Sequence, residues 1–400
     1  MTTTGQTTSI EDYFARLQAL IRPVPVETVP VQAGRVLAEA ATAHSAVPPQ
    51  DNSAMDGFLT LPLDEPCSLR VIGDVPAGAP AQRPQLGTAV RIMTGAAVPD
   101  GFEGLIIPVE DTNVAPGPGP VPETVTIHRL PSRDHIRRRG SHIAPGEEVA
   151  SAATLIDAPL LATLLSSGIN TAKLRRIPRI AVIATGEELV SGHLPDSNGP
   201  MLEALVTATG PASITRLRCG DDPAELRRVL DSVVQAEGGC DLIVTTGGVS
   251  AGAFDVVHAV LSQQADCAWF GHVEQRPGAP QGHALWAGVP VVCLPGNPVA
   301  AFVSAHLYLT PLLRSLRGLP RPAGPLDRPA LRAVAGADFP GARYPFIQPC
   351  LIEFDGTVTA TPPPGPRMRS HHVGALPGTR GFALITEPRA VGDELTVYPY

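Results

Sequence analysis

Apolar positions along this chain change their spacing several times, and each change marks a different kind of element. Ile10, Phe14, Leu17 and Ile21 recur every three or four residues, which predicts an amphipathic helix with Ser9 as N-cap and Pro23 and Pro25 beyond its end. Residues 31–43 read as a second helical piece. From Val47 to about Arg139 the spacing shortens to brief β-like runs, at 71–72, 89–92, 104–107 and 125–127, separated by glycine and proline. They predict the strands of a small barrel or sandwich, with the Pro/Gly loop 115–122 as a hairpin tip. Helical spacing returns at 158–169, closed by Gly168. The stretch between about 40 and 140 is therefore expected to be an insertion in another domain.

Three longer apolar runs follow, and each stops at glycine: Ile180-Ala-Val-Ile-Ala-Thr-Gly-Glu-Glu188, Asp241-Leu-Ile-Val-Thr-Thr-Gly-Gly-Val-Ser250 and Val291-Val-Cys-Leu-Pro-Gly-Asn-Pro298. The second leads into a helical pattern at Val256, Val257, Val260 and Leu261. A strand that ends in glycine and feeds a helix exposes backbone N–H groups where no Cβ blocks a ligand. Three such ends predict one parallel sheet whose carboxyl edge forms an anion site. The tract Gly318-Leu-Pro-Arg-Pro-Ala-Gly-Pro325 is a linker by composition, and short alternating segments such as 394–398 predict a small β domain after it. The fold class is multidomain α/β plus β. The expected division is a discontinuous helical and linker domain (8–42 with 143–176), an inserted β-rich domain (43–142), an α/β domain (177–320) and a C-terminal β domain (326–400).

Composition narrows the class further. Apolar residues make up 44% of the chain but aromatics only 4%, so its cores must rest on aliphatic and alanine packing. A formal charge of −8 argues against a nucleic-acid partner, which demands a basic footprint. Six scattered cysteines with no C-x-x-C argue against thiolate metal sites and a disulfide framework. The N-terminus lacks the basic-then-apolar pattern of a secretion signal. The most apolar run, 299–313, carries Ser304, His306 and Pro311 and reads as too short and too polar to span a bilayer. A cytoplasmic location with no membrane partner is expected.

Candidate chemistry resides mainly in acids. Asp51-Asn-Ser-Ala-Met-Asp-Gly57 is either a local Asx turn or a loop that presents Asp51 and Asp56 to a metal or substrate. Glu187 and Glu188 either offset a helix N-terminus or supply Mg²⁺ ligands at the sheet edge. Asp222, before Pro223 and with Glu225 three residues on, is a capping box, which leaves Asp221 as the functional candidate. Asp255 is either an N-cap or a carboxylate beside a phosphate cradle, with a divalent cation between the two like charges. Asp51, Asp56, Glu188, Asp221 and Asp255 together form a candidate metal set. The basic run Ile136-Arg-Arg-Arg-Gly140 is a solvated face or a contact to an anionic ligand or partner chain. His371 and His372, adjacent in a β region, are expected on opposite faces and not on one metal.

Seven segments, taken in order, are similar to a known family. They are Asp51-Asn-Ser-Ala-Met-Asp-Gly57, Arg91-Ile-Met-Thr-Gly95, Ile136-Arg-Arg-Arg-Gly140, Thr185-Gly-Glu-Glu188, Asp196-Ser-Asn198, Gly247-Gly-Val-Ser250 with Asp255, and Pro295-Gly-Asn-Pro298. The chain resembles the molybdopterin molybdenumtransferases, known as MoeA in bacteria and as the gephyrin E domain in animals. The resemblance implies an elongated homodimer whose third domain is a molybdopterin-binding α/β fold and whose last is a small β-barrel. It implies insertion of molybdate into the dithiolene of adenylylated molybdopterin, with Mg²⁺-dependent cleavage that yields molybdenum cofactor and AMP. The site would lie between the second domain of one subunit and the third and fourth of the other.

Carried over by matching positions, Asp51, Glu188, Asp221 and Asp255 are the essential acids. The resemblance implies that Thr94, Asp196, Asn198, Gly247, Gly248, Ser250, Pro295, Gly296 and Asn297 contact the substrate. Arg276, Arg343 and Ser370 resemble residues near the molybdate. Three departures stand out. Ser141-His142 follow the arginines where the family often has an acid. The Lys-Pro-Gly-Lys-Pro segment reads Arg276-Pro-Gly-Ala-Pro280, and guanidinium does not replace ammonium in a tight oxyanion pocket. Ala300 stands where a serine is often found. The losses at Ala279 and Ala300 motivate an alternative reading, a non-catalytic carrier of molybdopterin or its cofactor. A third reading, molybdopterin adenylylation on the same α/β fold, needs neither the inserted domain nor the C-terminal one.

Overall fold

The computed structural model describes residues 3–249, 255–365 and 368–400. Its largest element is a mixed seven-stranded sheet. The strands are β1 (Thr3–Thr8), β2 (Arg179–Thr185), β3 (Ser213–Cys219), β4 (Leu242–Thr246), β5 (Cys267–Val273), β6 (Pro280–Trp286) and β7 (Val289–Leu294). Their spatial order is β1-β5-β6-β7-β4-β2-β3. The three glycine-ended strands β2, β4 and β7 are parallel neighbours, as their patterns predict. Register aligns their ends: Ala184 sits opposite Thr246, and Thr246 opposite Leu294. The sheet is not wholly parallel, however. β6 runs antiparallel to both β5 and β7, a hairpin-linked extension that the apolar pattern alone does not distinguish.

Alternate residues of β2 and β4 enter two separate cores, because side chains of a strand point to opposite faces in turn. Ile180, Val182, Leu242 and Val244 meet the helices Ile10–Leu20, Asn198–Ala208 and the long helix from Pro298. Ala181, Ile183 and Ile243 meet Pro223–Gln235 and Val256–Gln264. The long helix contains a π-helical turn, Ala305–Leu309, between Pro298–Ser304 and Thr310–Leu316. It reaches 19 residues and is apolar enough by length and composition to cross a membrane, longer than its polar interruptions suggest. Within the fold it is a core helix, with 83% of its most apolar window buried.

Residues 31–43 do not form a helix. Strand Val26–Pro30 pairs with Thr171–Arg175, and Ala41–Thr42 pairs with Glu148–Ala150. Between them Gly34 turns the chain at φ +82, where a Cβ would meet Pro211 at 2.8 Å. Leu37 and Ala41 then pack with Ile156, Leu164 and Leu174. The piece expected to be helical is thus built mostly on paired strands, with Ala158–Ser166 as its own helix. The helix Ile10–Leu20 is no part of it, since Tyr13, Phe14 and Leu17 belong to the large α/β core.

The interrupting segment holds a five-stranded sheet of Leu105–Pro108, Gly57–Thr60, Thr88–Ile92, Ser68–Val75 and Thr124–Thr126, in that order. The loop 115–122 therefore lies between strands at opposite edges of that sheet and is not a simple hairpin tip; a single bridge between Thr112 and Ile127 draws the two edges together. At the C-terminus, Leu331–Ala335, Thr357–Thr361, Phe346–Asp355, Gly381–Ile385 and Glu394–Pro399 close into a five-stranded barrel. Its core is aliphatic apart from Phe339, Phe346 and Cys350.

Candidate active site

A cavity of about 1040 Å³ opens at the carboxyl ends of β2, β4 and β7. Glycine shapes its walls. Gly247 and Gly248 follow β4 at φ +98 and +63, and a Cβ on Gly247 would stand 2.7 Å from the Thr185 carbonyl oxygen. Gly296, after β7, lies so near that its Cβ would be 3.3 Å from Gly247 Cα. Only glycine lets these strand ends approach each other and leave backbone facing the cavity.

A polar ladder ties the strand ends together. Asn198 Nδ2 donates to Thr246 Oγ1 at 2.9 Å and to the Gly296 carbonyl at 2.7 Å. Thr246 Oγ1 in turn donates to the Pro295 carbonyl at 3.0 Å. Asn198 is 8% exposed, and its Oδ1 has no partner. The amide is thus committed through its nitrogen to bracing the strand ends, while its oxygen stays buried and unmatched.

Four carboxylates line the same cavity: Glu188, Asp196, Asp221 and Asp255. Glu188 folds back over Gly186, where a Cβ would meet its Oε1 at 2.6 Å. Asp221 Oδ2 accepts from the Glu187 N–H at 3.3 Å, and Asp196 Oδ1 accepts from Gly199 N–H at 2.8 Å. Asp255 stands just before the helix Val256–Gln264. No lysine or arginine is among the described lining residues. Asp222 is the N-cap, its carboxylate accepting from Ala224 N–H at 3.0 Å, but the expected box is not closed, since Glu225 Oε2 accepts from Gly220 N–H at 3.2 Å; Asp221 is left to the cavity.

Of the other sequence candidates, Gly247, Gly248, Pro295, Gly296, Asn297, Asn198 and Ser370 line the cavity. The Ser370 carbonyl accepts from Val299 N–H at 3.0 Å, so the C-terminal unit seats its loop on the start of the long helix. Ser250 lies outside the described residues. Arg276 and Arg343 are not among the lining residues; the Arg343 guanidinium sits 5.4 Å over the Tyr344 ring. His371, discounted from sequence, does line the cavity. It lies in a turn and not a strand, so its ring stands 4.5 Å from that of His372 instead of on an opposite face. Thr185 and Thr246 were missed; a threonine closing a strand just before glycine was the available signal.

Asp51, Asp56 and Thr94 belong to the inserted segment and do not line this cavity. Asp51 accepts from Arg138 at 3.0 Å and from Arg139 N–H at 2.7 Å, a reach of 88 residues and no local Asx turn. Asp56 Oδ1 accepts from the backbone N–H of Thr94 at 2.6 Å and from its hydroxyl at 2.7 Å, which holds the Asp56 carboxyl below its ordinary range. The expected convergence of five acids is therefore not made within one chain. Among the described residues, no three acids, histidines or cysteines group closely enough to hold a metal ion by themselves.

Comparison with known proteins agrees with this architecture. Residues 8–168 match the family model of the MoeA N-terminal region, domains I and II, and residues 181–315 match that of a probable molybdopterin binding domain. The molybdopterin molybdenumtransferase 2 of Mycobacterium tuberculosis is 36% identical over 411 residues, spanning 96% of each chain. That of Haemophilus influenzae is 30% identical over 409 residues, again 96% of each. The crystal structure of a molybdopterin biosynthesis MoeA protein from Pyrococcus horikoshii covers 99% of this chain at a TM-score of 0.74 and 21% identity, a likeness of fold. With this identity sustained over nearly its whole length, the chain belongs to the molybdopterin molybdenumtransferase family.

Proposed function

We propose that this chain is a transferase of molybdenum cofactor biosynthesis that inserts molybdate into adenylylated molybdopterin, cleaves the adenylate with the help of Mg²⁺ and releases AMP. One observation carries the reading: among the described residues, four carboxylates and no lysine or arginine line a glycine-walled cavity at the ends of parallel strands. Glycine backbone and strand ends suit a phosphate, yet bare carboxylates repel one, so a cation must stand between them. Mg²⁺ fits the donor set, because it takes hard oxygen ligands and usually binds one or two carboxylates plus substrate phosphate. That habit is compatible with acids that share a cavity without forming a ready-made cage. Glu188, Asp221 and Asp255, which line the cavity, would hold it. When bound, the cation would offset charge that develops on the phosphates.

The remaining work falls to the chain's own groups. Gly247, Gly248 and Gly296 admit the substrate close to backbone, and the Asn198 amide holds Thr246 and Gly296 in place beneath it. Ser370, held through its carbonyl to Val299 N–H, closes one side of the cavity. Cations for the oxyanion would come from a second copy, whose exposed Arg137 and Arg139 flank the Asp51 anchor, in a cytoplasmic homodimer. The carrier reading is favoured by Ala300, which lines the cavity without a polar group. Purified protein supplied with adenylylated molybdopterin, molybdate and Mg²⁺ should release AMP, measured by chromatography, and yield active cofactor. Pterin binding with no AMP release would replace this function with the carrier role.

A further inference from the structure

We infer that Gln275, Gln281, Ser304 and Tyr308 form a buried positioning clamp that fixes the turn between β5 and β6 as one wall of the cavity. All four are 0% exposed. A side-chain amide carries two hydrogens, and both glutamines use them in the same way. Gln275 Nε2 donates to the Pro277 carbonyl at 3.0 Å and to Ser304 Oγ at 3.3 Å. Gln281 Nε2 donates to the Gly278 carbonyl at 2.8 Å and to Ser304 Oγ at 2.7 Å. One hydroxyl on the long helix thus gathers both amides, and each amide holds one carbonyl of the turn. Tyr308, one helical turn further on, donates to Gln275 Oε1 and sets which way that amide faces.

The clamp grips the turn from behind while the C-terminal unit grips it in front. Arg276 N–H donates to the Pro345 carbonyl at 2.9 Å, and Ile347 N–H to the Arg276 carbonyl at 2.7 Å. The turn has little freedom between these holds. Gly278, at φ +82, presses on the start of the long helix, where a Cβ would stand 3.1 Å from Ser304 Oγ and 3.3 Å from Ala300 Cβ. Gly278, Pro280, Pro295 and Ala300 are the cavity lining at this point. Because Ala279 and Ala300 bring no polar contact here, wall position rather than side-chain chemistry governs how substrate sits. Neutral amides suit the task, since a carboxylate in place of either would set acceptor against acceptor.

This inference rests on the proposed function for its kinetic consequence, and its test separates the two. Ser304→Ala and Gln281→Met are compared with Tyr13→Phe, which removes a buried hydrogen bond to the neighbouring Gly282 carbonyl at 2.9 Å outside the clamp. Hydrogen exchange followed by mass spectrometry should show peptides covering 273–285 exchanging about tenfold faster in the two clamp variants, with β4 peptides unchanged. KM for adenylylated molybdopterin should rise about tenfold with kcat little altered, the pattern of a wall that holds ground state and transition state alike. Tyr13→Phe should lower thermal stability without moving KM. Unchanged exchange at 273–285 overturns the clamp. Faster exchange with unchanged KM in an enzyme that turns over overturns its role in positioning. Absence of turnover in the unaltered protein sinks the proposed function instead, and the exchange result alone then decides the clamp.

Discussion

Asp255 shows how a single side chain acquires meaning from its neighbours. In the sequence it is equally an N-cap or a ligand; in the fold it shares a cavity with Glu188 and Asp221, drawn from the ends of three strands. Asp255→Ala should lower the rate of AMP release by about 10²–10³-fold, the usual loss when one electrostatic stabiliser is removed. Circular dichroism and the thermal midpoint should stay as in the parent, and unchanged turnover would remove Asp255 from the site. Residue type alone announced that acids mattered here, but not which of them meet. Asp51 and Asp56 carry the same carboxylate yet are engaged with Arg138, the Arg139 N–H and Thr94. Those partners lie up to 88 residues away, beyond the reach of any local pattern.

Helices whose signals are local were the most legible elements. Asp222 before Pro223 announced the start of Pro223–Gln235, and its carboxylate makes the capping bond. Asp222→Ala should therefore cost about 1 kcal/mol of stability, read as a lower urea midpoint at unchanged slope. AMP release should be preserved; a matching loss of activity would mean that Asp222 contacts the substrate. Residues 31–43 misled for the converse reason. Their apolar spacing passes for helical, but Val26–Pro30 and Ala41–Thr42 have strand partners at 171–175 and 148–150. The inserted segment separates those partners in sequence, so a pairing that long is invisible to a short window. The same holds for β5 and β6, whose antiparallel placement depends on neighbours already in the sheet.

Across the whole molecule, two buried histidines link stability to pH. His306 is 4% exposed beneath the Tyr400 ring at 4.1 Å and the Phe302 ring at 4.6 Å, with Arg328 hydrogen-bonded to its carbonyl and neither ring nitrogen partnered. Burial, reinforced by Arg328, pushes its pKa down from 6.5 to about 3. Burial, with Arg16 nearby, pushes that of His283 to about 4. Above pH 6.5 both are neutral in folded and unfolded chains alike and contribute no pH dependence. Below it the unfolded chain takes up protons that the folded chain refuses, so stability falls by up to about 1.4 kcal/mol per pH unit for each histidine. The fall levels off below about 4 for His283 and about 3 for His306. Urea unfolding across this range should show a shallower decline in His306→Phe than in the parent, and parallel curves would contradict the account.

The change from helical to β-like spacing, the three glycine-ended strands and a β-rich end to the chain were readable because each rests on short-range physics: period-two or period-3.6 burial, capping, and glycine where φ must be positive. Which strands share a sheet, which acids share a cavity, and which buried amides brace its wall depend on contacts between segments far apart in the chain. Those are settled only when packing places β7 beside β4 and the long helix behind both, since no residue carries a local mark of the partner it will meet.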